Sequence, residues 1–204
     1  MAPVLLGPMS EDDRKAPYHH GDLRSALLTA AEAELAERGI EAFSLRSVAK
    51  RAGVSHAAPA HHFGDVKGLL TALAAEGFRR FLTAQSAREA VAAPDPASQL
   101  VAAGLGYIDF AMQRPALFRL LWGSEWPDFK NADLSQAALA SYRHLVDQVS
   151  AAGGRTVADE SAMWAIAHGL ADLLSAGRMM SIGSFAAPER DLVIAGILRR
   201  CLPG

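Results

Sequence analysis

The sequence predicts an all-α fold. Apolar residues recur every three to four positions along most of the chain, which is the spacing of an amphipathic helix. No stretch alternates apolar and polar residues as a half-buried strand does. Proline, glycine and helix-capping residues divide the pattern into segments of helical length. The 204 residues are enough for one or two domains with a sizeable core.

The first predicted helix begins at Asp22, its N-cap, and ends at Arg38, because Gly39 follows. Its apolar stripe consists of Leu23, Leu27, Ala30, Ala31 and Leu35. Residues 1–17 precede the helix, and we expect a disordered arm there. This segment has no basic region ahead of its apolar residues and no convincing cleavage site, so it is not typical of a signal peptide.

Two short helices joined by a tight turn are predicted next. Ser44 is the N-cap of the first, which ends at Gly53, a residue that readily adopts the left-handed conformation. Ser55 is the predicted N-cap of the second, at residues 56–63. Pro59 is then the fourth residue after that cap and removes about one early helical bond. Two short helices crossing at a glycine-containing turn form a helix-turn-helix.

Asp65 is the predicted N-cap of a fourth helix, which continues to about Ala92 and is long enough to link two domains. Pro94 and Pro96 mark the clearest break in the chain. Beyond it, helices are expected at residues 98–113, 115–122, 132–152, 156–182 and 188–201. The predicted organisation is therefore an arm at 1–17, a helix-turn-helix domain at 18–64, a linking helix at 65–92 and a helical bundle at 93–204.

Basic residues are concentrated near the helix-turn-helix, although the net charge of the chain is only −2. Residues 14–67 carry eight Lys or Arg against six Asp or Glu, whereas residues 68–204 carry twelve against thirteen. The first of these ranges also holds five of the seven histidines. A basic segment is usually a solvated surface, but one that coincides with a helix-turn-helix favours contact with phosphates.

The chain resembles a known family at the helix-turn-helix and at both flanks. Matching positions are Ser44, Val48, Ala49, Gly53, Val54, Ser55, Phe63, Lys67 and Leu70, with Tyr18-His19-His20-Gly21-Asp22-Leu23-Arg24 upstream. This pattern resembles the tetracycline-repressor-like (TetR) family of regulators. Trp164, His168 and Gly169 form a W-x-x-x-H-G arrangement similar to the effector domain of one branch of that family. Ala60 departs from the pattern, because the family usually has there a tyrosine that often touches a DNA phosphate.

The resemblance implies a sequence-specific transcriptional regulator, most often a repressor. Its N-terminal three-helix domain is expected to bind double-stranded DNA, and its C-terminal helical bundle to bind an effector and to dimerise. Apolar stripes on the last two predicted helices support a homodimer: Met163, Ile166, Ala167, Leu170, Leu174, Gly177 and Met180 on one, and Leu192, Val193, Ile197 and Leu198 on the other. A twofold dimer presents two recognition helices to a pseudo-palindromic operator.

The first residues of a recognition helix face the major groove, so His56 and Ala57 are expected at base edges, with His61 one turn on. Basic and hydroxyl side chains around the motif are better placed for phosphates. The predicted DNA-binding residues are Ser44, Arg46, Lys50, Ser55, His56, Ala57, His61 and Lys67.

The C-terminal part is rich in aromatic residues, which can line a regulatory pocket in a helical bundle. The predicted pocket residues are Tyr107, Phe110, Phe118, Trp122, Trp126, Met163, Trp164 and His168. His168 lies one turn after Trp164 and is the predicted polar anchor for a small apolar or aromatic effector. The alternative interpretation is that these residues are simply core.

Two other classes of function remain open. A small helical enzyme could use His168 with Asp172, or His144 with Asp147, but neither pair comes with a nucleophile in a strained turn or a glycine-rich phosphate loop. A protein-interaction or ligand-sequestering module that has lost DNA binding is supported only by Ala60. We therefore predict a regulator and no enzyme activity.

No cofactor or metal site is expected, because a helix of nine residues cannot turn His56, His61 and His62 inward together and no cysteine joins them. The single cysteine, Cys201, excludes an internal disulfide and fits a reducing cytoplasm, which is the expected location. No uninterrupted apolar run approaches the roughly 18 residues that span a bilayer, so no membrane contact is predicted.

Overall fold

The computed structural model describes residues 20–203, and every regular element in that range is helical. The helices are α1 (His20–Arg38), α2 (Leu45–Ala52), α3 (Ala58–Phe63), α4 (Val66–Glu89), α5 (Pro96–Gln113), α6 (Pro115–Trp122), α7 (Ala132–Ala151), α8 (Val157–Ser175), α9 (Met180–Gly183) and α10 (Ala187–Arg199). The predicted all-α fold is confirmed. The predicted arm at 1–17 lies outside the described residues, and no helix within them is long and apolar enough to cross a membrane.

Two of the predicted N-caps are confirmed, because their side chains accept hydrogen bonds from free amides of the first turn. Ser44 Oγ accepts from the amide of Ser47 at 3.2 Å at the start of α2. Asp65 Oδ1 accepts from the amide of Gly68 at 2.7 Å at the start of α4. Gly53 ends α2 with a φ of 68°, as predicted.

Outside the helix-turn-helix, two helix starts differ from the prediction. Helix α1 begins at His20 and so already includes Asp22, the predicted cap. Helix α5 begins at Pro96, which the sequence pattern had marked as part of a break. Proline is well suited to a first helical turn, whose amides have no partner inside the helix. Asp95 caps this helix by accepting from the amide of Ser98 at 2.9 Å.

The prediction of one helix at residues 156–182 is wrong. Helix α8 ends at Ser175, and Gly177 follows in the left-handed conformation with a φ of 66°. The amide of Gly177 donates to the carbonyl of Leu174 at 3.0 Å, and the amide of Arg178 donates to that of Leu173 at 2.8 Å. This paired bonding is the Schellman pattern, which closes a helix. The chain then turns before the short helix α9.

Helix α4 lies at the centre of the fold. It packs against α1, α3, α5, α6 and α7. Leu69, Leu70 and Leu73 are fully buried near its start, and Phe78 and Phe81 are buried farther along. All five belong to one hydrophobic cluster that reaches from Leu27 in α1 to Leu198 in α10. The N-terminal helices therefore share a continuous core with the C-terminal bundle.

Five of the eleven apolar residues predicted for a dimer interface are buried in this protomer's own core, and Ile166, Val193 and Ile197 are partly buried against it. Met163, Ala167, Leu170, Leu174 and Leu198 are at most 6% exposed. The spacing of an apolar stripe cannot tell whether a neighbouring helix of the same chain or of a partner covers it. The large apolar side chains that α8 and α10 leave at the surface are Val157, Trp164, Leu173 and Leu192.

Arg51 fastens α2 to α1. Its guanidinium lies 3.0 Å from Glu34, whose side chain is 1% exposed, and it also pairs with Glu37. Burial alone would raise the pKa of Glu34, but hydrogen bonds from Ser47 and Arg51 and the nearby positive charges hold that pKa below its usual value. The carboxylate is therefore charged in the folded protein and depends on its cationic neighbours.

Replacing Arg51 with Met should lower the free energy of unfolding, because the buried carboxylate of Glu34 loses a charged partner. The matched control is R46M on the same helix, since Arg46 is exposed and has no ion pair with another described residue. R46M should change the free energy of unfolding by no more than about 0.5 kcal/mol, measured by urea denaturation at neutral pH.

The difference in the free energy of unfolding between R51M and the wild-type protein should shrink in acid. A carboxyl whose pKa is depressed by folding stabilises the protein above its unfolded pKa, about 4.3, and this contribution is lost as the pH falls through the folded pKa. Equal destabilisation by R51M and R46M at neutral pH would contradict the assigned role of Arg51.

Candidate functional site

Helix α3 is shorter than predicted. Its N-cap is Ala57, without a side-chain bond, and the predicted cap Ser55 lies two residues earlier. The reason is Pro59: in a helix starting at residue 56 its missing amide would break a bond to Ser55, whereas in the observed helix it falls in the first turn. His56 and Ala57 therefore lie on the turn that leads into α3.

Seven of the eight predicted DNA-binding residues have exposed side chains on the helix-turn-helix and the first turn of α4. They are Arg46, Lys50, Ser55, His56, Ala57, His61 and Lys67. The eighth, Ser44, is half-buried and bonded to Ser47 as part of the α2 cap. Arg46, Lys50 and Lys67 form no ion pair with any residue in the described range, so their charges face solvent. Ala60 is exposed among them.

The turn between α3 and α4 is held tightly. Gly64 has a φ of 80°, a conformation that disfavours other residues. The backbone of Gly68 lies so close to the carbonyl of Phe63 that a Cβ would collide with it. This packing fixes the start of α4, with its free amides and the exposed Lys67, against α3.

A second candidate site is an open cavity of about 300 Å³ in the C-terminal bundle, here called the central cavity. Its walls come from α4, α5, α7, α8, the end of α6 and the loop that follows α6. The lining residues are Phe78, Phe81, Gln85, Leu100, Ala103, Gly104, Tyr107, Leu121, Trp122, Phe129, Ala138, Ser141, Tyr142, His144, Leu145, Gln148, Met163, Trp164 and Ala167.

Four predicted pocket residues line the central cavity: Tyr107, Trp122, Met163 and Trp164. The other four lie elsewhere. Phe110 and Phe118 are buried in the aromatic core, with ring centroids 5.6 Å from Phe81 and 4.9 Å from Trp122 respectively. Trp126 is 44% exposed on the loop after α6. His168 lies behind the wall, where its Nδ1 is 2.7 Å from the hydroxyl of Tyr107.

His168 therefore positions Tyr107 from outside the central cavity. Burial lowers the pKa of His168, and the charge of Asp172 opposes this only in part. Burial also raises the pKa of the Tyr107 hydroxyl well above its usual value. Both groups are consequently neutral at physiological pH, and the tyrosine ring stacks on Trp122 with centroids 5.4 Å apart.

Most polar side chains of the lining are hydrogen-bonded within the protein, but the half-buried Gln148 has no side-chain hydrogen bond to another described residue. His144 Nε2 is 2.7 Å from Glu89 Oε1, and the hydroxyl of Tyr142 donates to Glu160 at 2.9 Å. The hydroxyl of Ser141 donates to a carbonyl of its own helix at 3.2 Å. Gln85 differs, because its Oε1 atom is buried and has no hydrogen-bond partner among the described residues.

The contribution of α4 to the cavity was missed from the sequence, although one signal was present. Phe78, Phe81 and Gln85 follow one another at helical spacing, so they lie on one face of α4. A glutamine on an otherwise apolar helical face is unusual, because burial of a polar group requires a partner. Such a residue points either to a buried hydrogen bond or to a ligand.

The two histidines considered for catalysis do not pair with the aspartates that the sequence suggested as their partners. His144 pairs with Glu89 instead of Asp147, and His168 pairs with Tyr107, while Asp172 pairs with Arg178. Among residues 20–203, no group of three histidine, cysteine or acidic side chains is arranged to hold a metal ion.

Two parts of the chain match described protein families. Residues 27–73 match "Bacterial regulatory proteins, tetR family", and residues 100–195 match "Tetracyclin repressor-like, C-terminal domain". Together the two matches span more than half of the chain, including the helix-turn-helix and most of the cavity-bearing bundle.

Curated relatives and solved structures agree with these matches. The HTH-type transcriptional regulator BetI of Stenotrophomonas maltophilia is 31% identical over 125 residues, which is 61% of each chain. BetI of Burkholderia ambifaria is 29% identical over 123 residues, 60% of each chain. The chain thus spans about three fifths of these relatives.

Among solved structures, a Rhodococcus protein of unknown function is 31% identical and has a TM-score of 0.76, covering 93% of this chain and all of its own. A TetR family transcription regulator from Marinobacter aquaeolei is 22% identical and has a TM-score of 0.68, covering 88% of this chain and 95% of its own. The second likeness concerns the fold alone.

Replacing His168 with Gln should reduce the pH dependence of stability between about pH 7 and pH 5. A histidine whose pKa is lowered by folding stabilises the native state above its unfolded pKa, about 6.5, and this contribution is lost as the pH falls. Urea denaturation across that range measures the slope. H61Q is the control, because His61 is exposed, and this variant should keep the wild-type dependence of stability on pH. If H168Q also kept the wild-type dependence, the role assigned to His168 would be contradicted.

Proposed function

The chain belongs to the tetR family of bacterial regulatory proteins, and from this we propose that it is a homodimeric transcriptional repressor that leaves its operator when a small molecule occupies the central cavity. The observation that carries the proposal is the exposed basic surface of the helix-turn-helix, where Arg46, Lys50 and Lys67 have no ion-pair partner among the described residues. The W-x-x-x-H-G residues support placement in the branch of the family that has this arrangement, since Trp164 lines the cavity and His168 positions its wall.

The exposed surface of the helix-turn-helix supports the proposed DNA contact. His56 and Ala57, on the turn before α3, and His61, on α3, are the residues we assign to base edges in the major groove. Arg46 and Lys50 on α2 and Lys67 on α4 are assigned to phosphates, together with the free amides at the helix starts. Arg51 is not assigned to a phosphate, because its guanidinium pairs with Glu34 and Glu37.

The exposed apolar side chains of α8 and α10 support the proposed dimer. Leu192 is 74% exposed and Trp164 is 47% exposed, and solvent contact of such large apolar groups is unfavourable. Gly169 and Gly196 lie on the same helices with open space above them, which allows close approach of a second helix. An interface there would be self-complementary about a twofold axis.

A direct structural route supports coupling between cavity and DNA. Phe129 lines the central cavity, and the amide of its neighbour Asp128 donates to Thr71 Oγ1 at 3.0 Å. The Thr71 hydroxyl in turn donates to the carbonyl of Lys67 at 2.7 Å, in the first turn of α4. A ligand that favours a different position of this loop would change the population of the DNA-binding conformation.

Selection of duplexes from a random DNA pool should enrich an inverted repeat. H56A should relax the base preference at one position of each half-site, whereas K67A should weaken all sequences alike and lower the salt slope of binding by about one. Binding at two or more salt concentrations measures the slope. If the two variants behave alike, the division into base and phosphate contacts is wrong; if wild-type protein enriches nothing, the proposed function fails.

Replacing Leu192 with Glu should convert the dimer to a monomer, because a charge would have to be buried in the interface. Light scattering after gel filtration measures the mass, and circular dichroism checks the fold. V91E is the control, since Val91 is 84% exposed just after α4 and lies on neither α8 nor α10, and it should remain dimeric. A dimeric L192E would place the interface elsewhere.

A further inference from the structure

The polarity of the central cavity indicates what kind of molecule it accepts, given the proposed role of that cavity as the effector site. The part of its lining that the described residues form contains no aspartate, glutamate, lysine or arginine side chain. The one imidazole, His144, is paired with Glu89 at 2.7 Å. An anion or a strongly hydrated cation would therefore lose its hydration without gaining an opposite charge, which is strongly unfavourable. The lining favours a neutral ligand, and among ions only a weakly hydrated cation held by the aromatic faces would compete with it.

Gln85 lines the cavity and carries a buried acceptor atom without a partner among the described residues. Its residue is 6% exposed, and its Oε1 has no hydrogen-bond partner in the described part of the chain. Its Nε2 donates to the carbonyl of Ala103 at 3.3 Å. This bond fixes the orientation of the amide, because a carbonyl oxygen cannot accept from Oε1. The unsatisfied group is therefore an acceptor, and it requires a donor.

The position of Gln85 is fixed by its backbone as well. Gly106 of α5 lies against this part of α4, and a Cβ at Gly106 would come within 2.5 Å of the Cα of Gln85. The two helices are thus in direct backbone contact where the glutamine leaves α4. A preorganised acceptor of this kind is more selective than a flexible one.

The size and lining of the cavity limit the ligand further. Its volume is about 300 Å³, roughly twice that of an engineered cavity that holds benzene. Phe78, Phe81, Tyr107, Trp122 and Trp164 provide aromatic walls. A flat molecule of one or two fused rings fits such walls by stacking and edge contacts.

We propose that the central cavity binds a neutral molecule of one or two fused rings, whose single hydrogen-bond donor is received by Gln85 Oε1. Gln85 is then the residue that determines specificity. It distinguishes an N–H or O–H group from a carbon or an acceptor oxygen at the same place, whereas the aromatic walls accept all three.

Three probes of nearly identical shape test the proposal. Indole carries an N–H donor, indene has a carbon there, and benzofuran has an acceptor oxygen. Their dissociation constants are measured by calorimetry with full-length protein in the absence of DNA. Indole should bind the wild-type protein. Its preference over indene and over benzofuran should fall about tenfold in Q85M, which keeps the length of the side chain and loses the acceptor.

Comparing preferences between proteins cancels the different hydration of the probes. Q136M is the control, because Gln136 is exposed on α7 and does not line the cavity, and it should keep the wild-type preference. The proposal is overturned if wild-type protein does not bind indole, if Q85M keeps the preference, or if benzyltrimethylammonium or naphthoate binds more tightly than indole. The wild-type measurements decide the first and last points even if Q85M fails to fold.

The outcome is separable from that of the proposed function, since no DNA is present in the titration. If indole binds through Gln85 but does not weaken the DNA complex, the ligand class stands and the proposed release mechanism fails. If duplex selection enriches an inverted repeat while indole does not bind, the regulator stands and the ligand class fails.

Discussion

Helix α4 has to bury apolar side chains along its whole length, and the rest of the structure is arranged to cover them. Near its start, Leu69, Leu70 and Leu73 are fully buried in the core shared with the N-terminal helices. Farther along, Phe78 and Phe81 pack among the C-terminal aromatic residues. A continuous helix between two packed regions cannot shift at one end without disturbing contacts at the other. The cavity and the basic surface are therefore parts of one packed unit.

Ion pairs beside this core set the orientation of α4 more than they stabilise it. Arg88 lies between Asp109 of α5, at 2.6 Å, and Asp191 of α10, at 2.7 Å, and Glu32 of α1 joins Arg80 of α4 to Arg114 before α6. The arginines are 30 to 40% exposed, so the net free energy of each pair is small. Their value is geometric, because Arg88 and Glu32 each connect three segments at defined points.

Several local signals were readable from the sequence, although the predicted caps Asp22 and Ser55 were wrong, whereas signals that depend on packing were not readable. Ser44, Gly53 and Asp65 act through their own backbone neighbours, and their roles in capping or ending helices were predicted correctly. Gly177 was read as part of an apolar stripe, because the pattern continues on both sides of it although the helix does not. In the cavity, Phe110 and Phe81 have the same chemistry, and only the packing of α4 on α5 decides which of them faces the empty space.

The unpaired acceptor of Gln85 affects both the stability of the empty protein and its selectivity for a ligand. Leaving a buried acceptor without a partner costs the fold about 1–3 kcal/mol, and a hydrophobic side chain would avoid that cost. A ligand that brings a donor removes the penalty, whereas a ligand without one leaves it in place. The same atom that weakens the empty protein thus discriminates between ligands that the apolar walls treat alike. A cavity that senses one chemical group needs an unsatisfied partner for it before the ligand arrives, and in the described lining Gln85 is the buried side chain that provides one.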